Sequence, residues 1–221
     1  LVASETGGTA SYGDKKKGGK RAMGRTFYTS DLHFGHERII ELCNRPFDSV
    51  QEMNEELIRR WNETVGTADT VYMLGDIVMG KLDDNLPLVS RLNGLKMLIP
   101  GNHDRVWPGY NRKGVREQDL ERYWDAGFFM ILDSPWKHRN GWTLCHFPDV
   151  GDSHEEDRFA SWRPSTPQEN EILVHGHVHE EWKFDGNRVN VGVDVWDFRP
   201  VPERVIEDWA RTRGWSPCTT P

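Results

Sequence analysis

Thr26-Phe27-Tyr28-Thr29-Ser30-Asp31-Leu32-His33 decides the architecture, because a short apolar run that reads as a buried strand delivers a carboxylate and an imidazole at its end. In an extended segment residues i and i+2 share a face, so Asp31 and His33 are expected to converge on one point. One Asp-x-His pair is a common accident of sequence. Order makes it informative: Gly75-Asp76, Gly101-Asn102-His103-Asp104, His146 and Gly176-His177-Val178-His179 follow, most of them directly behind an apolar run.

Outward from that stretch, a short helical segment is expected over about 37–42. Asp48 then caps a longer helix on which Val50, Met53, Leu57, Trp61 and Val65 recur at spacings of three and four. Thr70-Val71-Tyr72-Met73-Leu74 reads as a second buried strand, residues 84–92 as a helix with Pro87 near its start, and Lys96-Met97-Leu98-Ile99-Pro100 as a third strand. Strand, helix, strand, helix, strand implies right-handed crossovers and a largely parallel sheet. Functional groups of such sheets gather beyond the carboxyl ends of the strands, which is where Asp31, Asp76 and Asn102 fall. A helix over 118–126 precedes a change of pattern to short strands at 128–132, 142–145, 172–174, 182–184 and 189–193. Residues 133–141 read as a turn between two of these, 149–170 as a long surface loop near the site, and 201–212 as a final helix.

The chain of 221 residues has the length of one large domain, and 36% hydrophobic with 29% charged residues suits a globular core. We expect a flexible leader over 1–24, a domain over 25–206 and a tail over 207–221. Gly13-Asp14-Lys15-Lys16-Lys17-Gly18-Gly19-Lys20 lacks both the strand and the Ser or Thr that a phosphate loop requires, so it reads as linker. No apolar run approaches the roughly 20 residues of a membrane span. Three cysteines (Cys43, Cys145, Cys218) without ligand spacing suggest neither a disulfide framework nor a thiolate zinc site, and a cytoplasmic location is expected. The net charge of -7 argues against broad nucleic-acid binding but leaves room for a small phosphorylated substrate, since bound cations reverse the local sign.

Asp31, His33, Asp76, Asn102, His146, His177 and His179 are seven oxygen and nitrogen donors. A tetrahedral ion takes at most four protein ligands, so seven imply two ions with a shared carboxylate, and Asp76 is the candidate bridge. Such mixed donors suit Mn, Fe, Zn, Ni or Co. Two cations roughly 3.5–4 Å apart hold a bridging water as hydroxide and clamp the oxygens of a displacement at phosphorus. The chemistry therefore points to phosphoester hydrolysis.

The ordered blocks Asp-x-His, Gly-Asp, Gly-Asn-His-Asp, His and Gly-His-x-His resemble the calcineurin-like metallophosphoesterase superfamily. Asp31-Leu32-His33-Phe34-Gly35-His36, Arg45-Pro46-Phe47 and Asn190-Val191-Gly192-Val193-Asp194 are similar to a subgroup of small bacterial and phage members. The resemblance implies a single-domain four-layer α/β/β/α sandwich and a hydrolase with two divalent ions, manganese serving in vitro. It places Asp31, His33, Asp76 and His179 on one ion and Asp76, Asn102, His146 and His177 on the other. His103 then faces the substrate, where it stabilises phosphoryl oxygens or protonates the leaving oxygen, with Asn102 also on the phosphate. One departure is Met79, which stands where the protein phosphatases of the superfamily carry an Asp that orients this histidine; the arginine that follows in them is absent as well.

The substrate class this favours is a phosphodiester of a small nucleotide, such as a 2′,3′-cyclic nucleotide. A broad phosphomonoesterase is the alternative, with a nuclease and a non-catalytic scaffold behind it. Outside the seven, His36 either caps the following helix or reaches the phosphate, and Asp104 is expected to stabilise its turn or support a ligand. Arg45 and Arg105 lie near motif blocks where they can meet phosphate, although surface ion pairing is the default. His138 and His154 read as ordinary surface or core residues, and His175 as packing or ligand support. Trp107, Trp136 and Trp162 are assigned to the core as a class, with one or two tryptophans left for stacking on a base.

Overall fold

The computed structural model describes residues 24–110, 114–152 and 158–216. The expected leader and His154 and Cys218 lie outside them. Strand β1 (Thr26–Thr29) is followed by helices α1 (Arg38–Leu42) and α2 (Val50–Thr64), then β2 (Thr70–Met73), α3 (Leu82–Asn85), β3 (Leu95–Leu98), α4 (Glu117–Asp125) and β4 (Phe128–Ile131). The four strands pair in parallel in the order β1-β2-β3-β4, as the alternation of elements requires.

Two local expectations change. Ser49, not Asp48, caps α2: its hydroxyl accepts the Glu52 amide at 3.2 Å, while Glu52 reaches back to the Asp48 amide at 2.8 Å. The single helix expected over 84–92 is split into α3 and a 3-10 turn, Leu86–Arg91, because Pro87 has no amide hydrogen for the α ladder and its ring crowds the preceding turn.

The second half forms β5 (Trp136–Lys137), β6 (Thr143–Leu144), β7 (Leu173–His175), β8 (Phe184–Asp185) and β9 (Arg188–Asn190), ordered β5-β6-β7-β9-β8. The presumed turn over 133–141 therefore contains a strand, with β5 antiparallel to β6. Strand β10 (Val201–Pro202), too short to show a period, returns antiparallel to β1 on the edge where a proline is tolerated. Helix α5 (Glu203–Arg211) follows, and Trp209 stacks on Phe184 at 4.8 Å.

Alternation along β1 serves two cores at once. Phe27 packs with Met53, Leu57, Trp61 and Tyr123 under the helices, whereas Tyr28 packs with Trp142, Leu144, Val174 and Val189 between the sheets. Ile206, Ala210 and Trp215 join that inter-sheet core, so packed chain continues past residue 206. The fourth layer is thin: Trp107, Cys145, Phe147 and Leu173, with Phe159 and Trp162, cover the outer face of the second sheet through a loop and one 3-10 turn, Ala160–Trp162. Trp107 is core, as expected of the class, while Trp136 is exposed on the edge strand β5.

Candidate metal centre

Main-chain bonds zip together the loops that leave β1 and β2. The Asp31 amide donates to the Gly75 carbonyl (3.0 Å), His33 to Asp76 (3.0 Å), Phe34 to Ile77 (2.9 Å) and Met79 back to Phe34 (2.9 Å). Asp104 joins the loop after β3 to this pair. Its carboxylate accepts the Asp76, Ile77 and Gly101 amides at 2.8, 3.2 and 2.9 Å, and the Tyr123 hydroxyl at 3.3 Å. Asp104 thus sets the turns that present ligands.

Asp31 and His33 do converge, although not by strand alternation. Both have left-handed backbone, φ 59° and 52°, as do Asp76 (56°), His177 (72°) and His179 (46°). Five of the seven expected donors sit in a region that side chains other than glycine rarely occupy, and such strain persists only where the surrounding structure dictates it. Close approach also explains two glycines. A β-carbon on Gly101 would lie 2.3 Å from Asp76 Oδ1, and one on Gly176 would lie 2.4 Å from Asp31 Oδ2.

Among the described residues three groups of donor atoms lie within 4.8 Å of one another: Asp31, His33 and His179; Asp31, Asp76 and His146; and Cys43, His179 and Asp194. Asn102 Oδ1 is 3.1 Å from His146 Nε2, and the His177 ring is 5.1 Å from that of His146 between centroids. Asp31 Oδ1 and both nitrogens of His33 are buried without a hydrogen-bond partner. Buried polar atoms are seldom left so, and an oxygen and imidazole nitrogens orphaned together fit divalent cations. The chemistry of these donors suits a divalent cation, and Asn102 and His177 lie beside them.

The charge states carry the same crowding. Burial pushes the Asp31 carboxyl up; it also acts on Asp76, where the imidazoles of His146 and His103 outweigh it and hold that carboxyl low. Burial, with His179 next, drives the His33 imidazole well below its usual value. Burial and then His103 lower His36 to about 4, and burial and then His146 lower His177 to about 3. His179 runs the other way: burial is opposed by the bonds to Asp194 and Cys43 and by Asp31, and its value is raised. Asp104 is pushed up to about 6 by burial and the charge of Asp76.

His103 stands at the lip, with a side chain 41% exposed. Its amide donates to Asp76 Oδ1 at 2.9 Å, and among the described residues its ring meets no carboxylate nearer than Asp76, at 3.9 Å. Met79, Arg105 and Tyr110 share with it a cavity of about 110 Å³. His36 makes no capping bond; its ring instead lies 5.3 Å from that of His33. His175 and His138 are buried away from that lip, the first on the Gly176 carbonyl (2.8 Å), the second on Asn140 (2.7 Å).

Arg45 departs most from expectation. It is buried, not superficial, and spends its guanidinium on Asp194 (2.8 and 3.0 Å) and on the carbonyls of Asp31 (2.8 Å) and Leu32 (3.1 Å). No donor is left for a phosphate. Asp194, Asp152, Arg158 and Arg163 had no role in the sequence reading. Asp194 sat in a quoted motif, but the other three lie in a loop whose contacts no spacing reveals.

The model of the calcineurin-like phosphoesterases matches residues 24–197, most of the chain. The chain belongs to that family. The phosphoesterase is 36% identical over 191 residues to the gene 66 protein of Mycobacterium phage L5, covering 79% of this chain and 88% of that one. It is 31% identical over 189 residues to the uncharacterized protein MJ1445 of Methanocaldococcus jannaschii, covering 81% and 88%. Among solved structures, a protein of unknown function from Aquifex aeolicus, AQ665, aligns with a TM-score of 0.60 at 25% identity over 84% of this chain and 99% of that one. The phosphoesterase is thus a metal-dependent hydrolase of phosphoester bonds in a family that uses two divalent ions. Among its described residues no helix is long and apolar enough to cross a membrane.

Proposed function

We propose that this enzyme hydrolyses phosphodiesters of small nucleotides, 2′,3′-cyclic nucleotides for example, with manganese serving in vitro. Asp31, His33, Asp76 and His179 would hold one ion, and Asp76, Asn102, His146 and His177 the other. Bound together, two divalent ions neutralise charge on the phosphoryl group and activate water. The observation that carries the reading is the convergence of buried, partly orphaned donors beneath the half-exposed His103.

In hydrolysis a water oxygen joins phosphorus and the bond from phosphorus to the leaving oxygen breaks. His103 would stabilise the phosphoryl oxygens and give a proton to that leaving oxygen, and the Asn102 amide would orient the phosphate. Arg105, beside His103 in the same cavity wall, is the arginine open to a phosphate oxygen, and His36 a second imidazole for it. Met79 beside His103, in place of an orienting carboxylate, favours a diesterase over a protein phosphatase.

Chelator-stripped protein reloaded with manganese should cleave bis-(p-nitrophenyl) phosphate faster than p-nitrophenyl phosphate, and 2′,3′-cyclic nucleotides faster than nucleoside monophosphates. Preference for both monoesters would replace this reading with a phosphomonoesterase.

A further inference from the structure

The two imidazoles of Gly176-His177-Val178-His179 are flanked by carboxylates from distant parts of the chain. Asp194 Oδ2 lies 3.3 Å from His179 Nδ1, and Asp152 Oδ1 lies 3.2 Å from His177 Nε2 in an oblique approach. Both carboxylates are buried and each is gripped by arginine. Asp194 has the two bonds from Arg45. Asp152 accepts Arg158 at 2.8 Å on one oxygen, and the Arg158 amide (3.2 Å) and Arg163 (3.3 Å) on the other. Arg163 is itself buried and donates to the carbonyls of Pro148, Gly151 and Arg158, so one guanidinium gathers the loop that carries Asp152.

A neutral imidazole has one N–H and one lone pair, and an acceptor fixed at one nitrogen turns the lone pair to the other. His146 follows this rule by bonding the Leu74 carbonyl through Nδ1 at 2.7 Å, which leaves Nε2 toward Asp76 at 3.5 Å. His179, also held at Nδ1, presents Nε2. At His177 the Asp152 carboxylate lies against Nε2, which leaves Nδ1 as the nitrogen for an ion.

The geometry points to two arginine-clamped positioning residues, Asp152 behind His177 and Asp194 behind His179, each fixing the ring nitrogen with which its histidine binds a divalent ion. Both oxygens of each carboxylate are taken by arginine, so neither is assigned as a ligand. Arg45 holds Asp194 in one rotamer, and Arg158 with Arg163 holds Asp152, since an arginine fork matches a carboxylate in geometry as well as charge. Because Arg45 also bonds the Asp31 and Leu32 carbonyls, one side chain ties the loop of Asp31 and His33 to Asp194 and through it to His179. Asp152 ties the described residues 148–152 and 158–163 to the other ion in the same manner.

The inference rests on the metal-centre reading above, and its test separates the two. Manganese is titrated calorimetrically into chelator-stripped wild type, Asp152→Asn and Arg158→Gln, with thermal melts of each metal-free protein and kinetics across manganese concentration. Wild type should bind two ions. Asp152→Asn should keep one ion at wild-type affinity and bind the other roughly 10–100-fold more weakly, the usual cost of losing such a support. Its kcat should recover with added manganese while KM for the diester stays unchanged, which a merely structural lesion would not produce. Arg158→Gln, at a partly exposed position, loosens the clamp without touching Asp152 and should weaken the same ion several-fold. Two ions bound at wild-type affinity by Asp152→Asn, or by Arg158→Gln should Asp152→Asn fail to melt cooperatively, would overturn the clamp and leave the phosphoesterase reading intact. Fewer than two ions on wild type would overturn both.

Discussion

The two sheets contribute to the metal centre in different ways. From the first sheet, Asp31, His33 and Asp76 leave neighbouring parallel strands on loops zipped by backbone bonds, and the Asp104 carboxylate joins the loop of Asn102 to them. From the second, His177 and His179 follow a three-residue strand and are steadied by side chains, Asp152 and Asp194, that come from elsewhere in the chain. A ligand placed by main-chain pairing needs its own residue type and little else. A ligand placed by side chains depends on partners that can each be removed separately.

The largest effect belongs to the first kind. Asp76→Ala removes the carboxylate proposed to serve both ions, and turnover of the diester should fall by about 10²–10³-fold, the scale of losing an essential electrostatic group. Binding of both ions should suffer in calorimetry. A variant that kept full rate after verified metal loading would remove Asp76 from the centre.

Arg45→Met tests the second kind. It leaves Asp194 buried opposite an apolar side chain, and breaking one member of a buried pair costs about 3–5 kcal/mol. We expect that loss in urea-melt stability of the metal-free protein, with binding of the ion nearest His179 impaired in whatever remains folded. If stability were unchanged, the guanidinium would not be bracing the two loops.

The same contrast decides what the sequence revealed. The parallel half was legible because its strands are continuous apolar runs, its crossover α2 keeps a helical period, and its ligands fall directly at strand ends. Even the mistaken argument about Asp31 and His33 gave the right convergence, since left-handed turns brought together what alternation was expected to. The second half was less legible. Strands of two residues, β5 and β10, are too short for a period to emerge. Arg45 and Asp194 stand 149 positions apart, and no local rule joins them. A buried arginine and a surface one have the same letter, so Arg45 was placed on the surface. The long loop over 149–170 was expected near the site, but Asp152 within it carried no motif.

Acid should weaken the second-sheet side. Burial lowers the His175 imidazole to about 4, so between about 6.5 and 4 the unfolded chain binds more protons at this site than the folded one. Its contribution is present above 6.5 and is lost as pH falls toward 4, roughly 3 kcal/mol over the whole window. His179, whose value is raised, acts in the opposite sense, and a difference measurement cancels it. The stability gap between metal-free wild type and His175→Gln should therefore shift against wild type by roughly that amount between pH 7 and pH 4. A gap independent of pH would show that His175 titrates alike in both states.

The smallest effect lies far from the chemistry, at the start of α2. Ser49 and Glu52 satisfy two amides that the first helical turn would leave open, and deleting such a cap costs about 1 kcal/mol. Asp48 precedes the cap with an exposed side chain that makes no bond to the helix. Ser49→Ala should lower stability by that amount and leave metal binding and turnover untouched, while Asp48→Ala should change stability by less than about 0.5 kcal/mol. The order of the two is the informative result. Were Asp48→Ala the costlier change, the helix would begin one residue earlier in solution. Pro46-Phe47 would then be set differently against Phe198, whose ring meets that of Phe47 at 4.9 Å four residues after Asp194. A shift there would carry the first sheet's scaffold into the support of His179, and the two ways of placing ligands would cease to be independent.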